Sequence, residues 1–360
     1  MHKQIYSIIS GTGSYLPTKH IPNADFLNSI FYESTGEKIN RSNEEIISKF
    51  QQITGIDERR YVEDDFVSSD IAFFAAEKAI ANSGIDKEEL DYIIVAHNFG
   101  DVKHGTTRVD IVPAIAARVK HKLGILNPFT VAYDLPFGCP GWLQAVIQAN
   151  YYIRSGDAKK ILVIGSETLS RVSDPHDRDS MIYSDGAGAV VLSAVESEEP
   201  VGILTHVTRT DTFEQAFLLR MDKSYNPEKN NELYLKMNGR KLYEYALKTV
   251  PAAIKMAIDK SGLPITDIER ILIHQANEKM DDAIVNRLYE LYGVKDRPEF
   301  SMPMTISWLG NNSVATLPIL FDLIVNQRVD NHQLNAGDHF VFASVGAGMH
   351  VNALVYKMPG

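Results

Sequence analysis

The chain has 360 residues, 44% of them hydrophobic and 23% charged, with a net charge of -10 at neutral pH. This is ordinary globular composition, long enough for two domains, and its acidity argues against a general nucleic-acid binder while leaving room for a local basic patch. A single cysteine excludes an intrachain disulfide framework and a Cys-rich zinc site, and no apolar run approaches membrane-spanning length; the expectation is a soluble, cytoplasmic, metal-free protein.

Residues 1–11 carry no signal-peptide core and read as a first strand. Residues 75–84 read as an amphipathic helix stopped by Ser83-Gly84, and after a turn residues 90–96 form a short, almost wholly apolar strand. Such a strand is buried on both faces, as in parallel or mixed sheets covered by helices.

Next comes Asp134-Leu135-Pro136-Phe137-Gly138-Cys139-Pro140-Gly141-Trp142, a glycine-flanked turn that opens a helix. Apolar side chains recur at helical spacing over residues 142–153, and Pro140 suits the first helical position. Cys139 therefore falls at a helix N-terminus, where unpaired N–H groups and the helix dipole favour a thiolate. The plainer reading of a lone cysteine is a small buried hydrophobe.

The helix-turn-strand unit then returns. Residues 253–262 and 268–274 lie over residues 75–84 and 90–96 at a constant offset of 178, without a gap. Each half is expected to be an α/β layer structure with its own sheet, residues 1–195 carrying the nucleophile and 196–360 the later polar groups. The second strand ends in His274-Gln275-Ala276-Asn277, and ligand crevices of α/β sheets lie at strand C-termini. A third polar cluster, Ser307 through Ser313, feeds an apolar helix over residues 314–324; taken alone, Asn311-Asn312-Ser313 reads as a helix N-cap.

A thiol, an imidazole and a carboxamide suit chemistry on thioesters. The cysteine holds an acyl group covalently, while N–H donors stabilise developing negative charge. A Cys-His-Asn protease uses the same residue types, and sequence context separates the two.

Cys139 after a strand, residues 234–240 (Tyr-Leu-Lys-Met-Asn-Gly-Arg), His274-Gln275-Ala276-Asn277, Gly310-Asn311-Asn312-Ser313 and Gly346-Ala347-Gly348 occur in that order. So do Gly165-Ser166-Glu167, Asp174-Pro175-His176-Asp177-Arg178 and Asp185-Gly186-Ala187-Gly188-Ala189. In this set the chain resembles, over nearly its whole length, the β-ketoacyl-acyl-carrier-protein synthase III enzymes of the thiolase superfamily. The resemblance implies a duplicated five-layer αβαβα fold in a homodimer. It implies Cys139 as acyl-accepting nucleophile, and His274 and Asn311 as the pair that binds the extender carbonyl while carbon dioxide leaves. The backbone N–H groups of Cys139 and Ala347 would hold the acyl oxyanion, with Asn277 supporting the pair from behind. His274 is expected to be neutral, since it must donate to a carbonyl. Substrates would arrive as phosphopantetheine thioesters on an acyl-carrier protein or coenzyme A, with no bound cofactor.

The chain departs from the family pattern in three places. Where acyl-CoA users carry an adenine-gripping Trp-x-x-x-Arg before Thr-Gly-Ile, this chain has Lys49 and Ile53 before Thr54-Gly55-Ile56, which favours carrier delivery. Arg171 and Lys279 are the basic residues expected to dock the acidic carrier or coenzyme A. Second, residues 97–113 are longer than usual, and Val112 stands where a bulky residue closes the partner's acyl pocket; a smaller side chain suggests a longer acyl chain. Third, Phe137-Gly138-Cys139-Pro140-Gly141-Trp142 stands in place of a small-residue run ending Ala-Cys-Ala-Gly-Phe, so that Phe137 is expected to reshape the acyl pocket, and residues 31–43 look inserted. These features resemble the dialkylresorcinol-forming ketosynthases, with fatty-acid initiation from acyl-CoA as the alternative. A catalytically silent carrier-binding partner would lack the nucleophile, and a hydroxymethylglutaryl-type synthase would use a carboxylate such as Glu167 as base.

Overall fold

The computed structural model describes residues 3–229 and 231–360. Its first sheet has five strands in the spatial order Gln4–Tyr15, Asp185–Ser197, Lys160–Thr168, Tyr92–His97, Val131–Pro136. Tyr92–His97 runs parallel to both neighbours, whereas Asp185–Ser197 is antiparallel to both of its own. The chain then crosses to a second sheet, ordered Gly202–Thr210, His350–Lys357, His339–Gly346, Ile268–Ile273, in which only the last two strands are parallel.

The sequence repeat is a structural repeat. Helices Ser68–Ser83 and Gly239–Ser261 both end on a left-handed glycine, Gly84 and Gly262. Each is followed by a 3-10 turn, Lys87–Glu89 or Ile265–Asp267, and then by the buried strand. Adjacent side chains of these strands enter different cores, as strand periodicity requires. Ile93 and Val95 face outward-lying helices and Ile94 and Ala96 the centre; Ile271 and Ile273 face the opposite outer layer and Leu272 the centre.

Five layers result. Helices Ser68–Ser83 and Ile115–Leu123 cover the first sheet, and Gly239–Ser261 and Glu278–Leu291 cover the second. Between the sheets lie Gly141–Ser155 and Thr316–Val325, whose Trp142, Leu143, Leu320 and Phe321 pack with Phe340 and Phe342. A helix apolar on every side must be buried on every side, and each such side chain contributes roughly 1.5–3 kcal/mol by leaving water. Asp322 is the exception inside Thr316–Val325; Thr12 Oγ1 and Ser14 Oγ donate to its carboxylate at 2.7 and 2.6 Å.

The first strand extends to Tyr15 rather than stopping at Gly11 as expected, while Met1 and His2 lie outside the described residues. A Cβ at Gly11 or Gly13 would lie 2.5 Å from a backbone oxygen of helix Ser68–Ser83. These glycines let the helix lie directly on the strand, so they mark contact rather than a turn. With the parallel strands aligned, the C-terminal ends of Tyr92–His97, Val131–Pro136, Ile268–Ile273 and His339–Gly346 lead into the segments that carry the polar motifs.

Candidate active site

Strand Val131–Pro136 delivers Cys139 through Gly138, and helix Gly141–Ser155 begins two residues later. Pro140 is the N-cap, not the first helical residue as the sequence suggested, so Cys139 stands just outside the helix. The surroundings of Cys139, which is half-buried, oppose the thiolate expected there. Burial pushes the Cys139 thiol up to about 11; the Ser313 hydroxyl, donating to Sγ at 3.4 Å, pulls it down, and the Glu167 carboxylate pushes it up further. Apolar walls disfavour the charged form more than a helix end favours it. Those walls, including Phe99, Leu169, Leu235 and Leu242, enclose a chamber of about 50 Å³ on Cys139.

His274 follows strand Ile268–Ile273, and its backbone N–H donates to Ala343 O at 2.8 Å, extending the parallel ladder by one residue. The side chain lines the chamber and is 4% exposed. Burial holds its pKa down to about 4, against a weaker backbone contact with Ser313, so the imidazole is neutral near pH 7 and can donate one N–H to a carbonyl.

Asn311 is clamped through its backbone: its N–H donates to Ile182 O and its carbonyl accepts from Ser184 N–H, both at 2.9 Å. Its Oδ1 accepts the Ser313 N–H at 2.8 Å. With the oxygen so engaged, the amide hydrogens are the group offered to the chamber, an orientation set by the hydrogen-bond network. The simple N-cap reading of this cluster fails. A 3-10 turn, Ser313–Ala315, precedes helix Thr316–Val325, and Asn312 Nδ2 donates to the carbonyls of Asp185 and Leu309.

Strand His339–Gly346 brings the fourth element. Gly346 lies against the Cys139 backbone, and Ala347 lines the chamber beside Cys139, His274 and Asn311. Four segments far apart in sequence thus converge on one chamber.

Comparison with known proteins gives the family. Residues 133–212 match the family described as 3-oxoacyl-[acyl-carrier-protein] synthase III, and residues 258–358 match its C-terminal counterpart. The β-ketoacyl-[acyl-carrier-protein] synthase III of Xanthomonas campestris pv. campestris is 35% identical over 340 residues, 93% of this chain and 94% of that one. The chain belongs to the 3-oxoacyl-[acyl-carrier-protein] synthase III family. Among solved structures, the β-ketoacyl-[acyl-carrier-protein] synthase III of Thermus thermophilus superposes with a TM-score of 0.79 at 31% identity, covering 98% of this chain and 99% of that one. The priming β-ketosynthase of the R1128 polyketide pathway has a TM-score of 0.79 at 26% identity, covering 99% and 97%. The chain is therefore a ketosynthase-class acyltransferase with the thiolase-like fold, acting on thioesters without a bound cofactor.

For a synthase III, several expected residues fall elsewhere than the sequence suggested. Arg171 is buried, and its guanidinium donates to the backbone carbonyls of Glu63 and Phe66, at 2.9 and 3.4 Å. It ties the chain together and does not face a carrier. Phe137 stacks on the His350 ring at 4.0 Å between centroids; among the described residues lining the chamber, neither Phe137 nor Val112 is present. Val112 is 83% exposed, which leaves open its expected place at a partner's pocket rather than in this chain's own chamber. Asn277 caps helix Glu278–Leu291 by accepting the Met280 N–H at 3.0 Å, and it lines the cavity outside the chamber together with Asn311. Lys279 is exposed on the first turn of that helix.

Outside the chamber a wider cavity of about 500 Å³ forms the mouth, sharing Met237, Leu242, Ala276, Met280 and Asn311 with it. Lys49 and Ile53 line this mouth, together with Arg178 and with Glu33 and Arg41 from the inserted segment. That segment is anchored by Phe31 and Ile39, buried against Ile46 and Met181.

Sequence reasoning missed Ser313 and Asn98 as neighbours of the nucleophile and weighed Glu167 only as a base for another enzyme class. Asn98 follows the first repeat strand directly, which is the signal that could have found it.

Proposed function

We propose that the chain joins two acyl units by decarboxylative Claisen condensation. Cys139 Sγ attacks the donor thioester carbonyl, the proton leaves with the departing thiol, and the backbone N–H groups of Cys139 and Ala347 hold the oxyanion. An extender thioester then binds with its carbonyl on the His274 ring N–H and the Asn311 amide. Loss of carbon dioxide leaves an enolate held by those donors, its carbon attacks the acyl group, and the Cys139 sulfur departs. The convergence of Cys139, His274, Asn311 and Ala347 on one chamber carries this reading.

The donor comes on an acyl-carrier protein. The mouth offers Lys49 and Ile53 where an aromatic-guanidinium clamp would grip adenine; Arg178 is paired with Glu33 at 3.4 Å, which leaves Arg41 and Lys49 as the cations suited to the phosphate of a phosphopantetheine arm. Val112 leaves room at a subunit boundary for an acyl chain longer than acetyl, although the chamber within one chain is only about 50 Å³. Two chains associate through strand Val131–Pro136, an open sheet edge flanked by the exposed apolar residues Leu126, Phe129 and Val131. The enzyme works in the cytoplasm; among the described residues no helix is long and apolar enough to cross a membrane.

A second reading, a specialised ketosynthase of the dialkylresorcinol type that joins two β-ketoacyl units, is favoured by residues 31–43, of which Glu33 and Arg41 line the mouth. Intact-protein mass spectrometry with acyl-CoA and acyl-carrier thioesters, on wild type and Cys139→Ala, tests the common mechanism. An adduct that persists in Cys139→Ala, or never forms, would refute it. Product analysis with malonyl- and β-ketoacyl-carrier separates a β-ketoacyl thioester from a cyclised product, and sedimentation velocity reports the dimer.

A further inference from the structure

Ser313 Oγ donates to Cys139 Sγ at 3.4 Å and itself receives Asn98 Nδ2 at 3.0 Å. The same Nδ2 and the Asn98 backbone N–H, the latter at 3.0 Å, both donate to Glu167 Oε2. Glu167 is 1% exposed, and its other oxygen has no hydrogen-bond partner. These four residues form one chain of bonds from a buried carboxylate to the nucleophile.

The direction of each bond follows from the chemistry of the groups. An ionised carboxylate only accepts, so Glu167 draws the nitrogen side of the Asn98 amide toward itself. The second amide hydrogen then points at Ser313 Oγ, filling a lone pair. A hydroxyl has one hydrogen, and with Asn98 donating to it that hydrogen is free for Sγ. Were the Asn98 amide turned over, Ser313 would donate to its oxygen and offer a lone pair to the thiol, favouring S–H over S⁻.

The repeat supplies an internal control. At the offset of 178, Asn98 corresponds to Ala276. The strand pairings that match Ile93 with Leu162 and Ile271 with Val341 place Gly346 opposite Glu167 in the second copy. The fold is therefore built in the second half without either polar group. Their presence beside Cys139 belongs to the site and not to the scaffold.

We propose that Glu167 and Asn98 are positioning residues that set the polarity of the Ser313 hydroxyl, so that it donates to Cys139 Sγ as the sulfur loses its proton and attacks. The inference rests on Cys139 being the nucleophile, but its test does not require acyl transfer. Two influences of Glu167 oppose each other: through bonds it directs a hydrogen to the sulfur, and through space its charge disfavours a thiolate. The Ser313 bond is the larger of these effects on Cys139. The other titratable groups facing the network are His97 and Asp185 around Glu167, and Tyr183 and His274 around Cys139.

The experiment is the pH profile of Cys139 alkylation by iodoacetamide. Ser313→Ala, Asn98→Ala and Glu167→Ala are expected to slow alkylation about tenfold between pH 7 and pH 9, where Glu167 is ionised, by moving the profile upward about one unit, the scale of a charge-assisted hydrogen bond. Glu167→Gln keeps an acceptor for Asn98 and loses the charge, so it should alkylate as fast as wild type or faster. A purely electrostatic Glu167 would make both Glu167 variants faster, and a merely structural one would leave both profiles unmoved; either result overturns the proposal. Should Glu167→Ala fail to fold, Asn98→Ala decides, since it installs the residue that the second copy already tolerates: a shifted profile supports the proposal, and an unshifted one ends it. A shifted profile in an enzyme that never forms an acyl adduct would count against the proposed function alone.

Discussion

Gly346 lies so close to Cys139 that a Cβ added at position 346 would stand 2.6 Å from the Cys139 nitrogen and 2.8 Å from its Cβ. The two backbones meet because strand His339–Gly346 ends where helix Gly141–Ser155 is about to begin. Gly346→Ala must push apart the segments that carry the proposed oxyanion donors. We expect acylation of Cys139 to slow by about 10²–10³-fold, the scale of losing one such donor, with a stability loss of roughly 1–3 kcal/mol from overpacking. Acyl-enzyme formation followed by mass spectrometry, beside urea denaturation, checks both.

His274→Ala separates the two half-reactions. In the proposed mechanism the imidazole serves the extender carbonyl and not the sulfur, so acylation should persist within a few-fold while condensation falls by about 10²–10³. Equal loss of both steps would defeat this division of labour. Because burial holds His274 down to about 4, the acid limb of condensation that arises from its protonation should lie near pH 4 and not near 6.5.

Glu167 links the site to stability. Burial raises its carboxyl to about 7, opposed mainly by hydrogen bonding from Asn98, so between about 4.5 and 7 the folded chain holds a proton there that the unfolded chain has lost. The unfolded state binds fewer protons in that window, and this contribution to stability is therefore lost as pH rises through 7. Glu167→Gln removes the titration. The stability of the variant relative to wild type should rise by about 2 kcal/mol between pH 5 and pH 8, measured as the difference in urea midpoints at constant slope. No change in the difference would mean that Glu167 is not held protonated by the fold.

Arg41 and Lys49 are exposed at the mouth, away from the chamber. Replacing both by alanine should raise KM for a carrier-borne donor about five- to tenfold, leave kcat unchanged, and weaken the salt dependence of the reaction. An unaltered KM would place the phosphopantetheine arm elsewhere.

Sequence alone determined the duplicated α/β architecture, and with it where Cys139, His274 and Asn311 had to lie. Those signals are local: helix spacing, glycine stops and buried strands repeat at a fixed offset, and the resemblance rests on contiguous motifs. Tertiary structure decided the state of the site. Whether Cys139 rests as thiol or thiolate depends on desolvation by walls drawn from residues 99, 169, 235 and 242, which no neighbourhood of Cys139 in the chain reveals. Arg171 looked like a docking cation, and only the fold shows it spent on the carbonyls of Glu63 and Phe66, more than a hundred residues away. Phe137 sits two residues from the nucleophile, yet a strand near the C-terminus takes its ring onto His350. The bonds from Glu167 through Asn98 and Ser313 to Cys139 cross from 69 to 215 positions of sequence. Periodicity and spacing report what neighbours in the chain can do, whereas charge state and hydrogen-bond direction belong to neighbours in space.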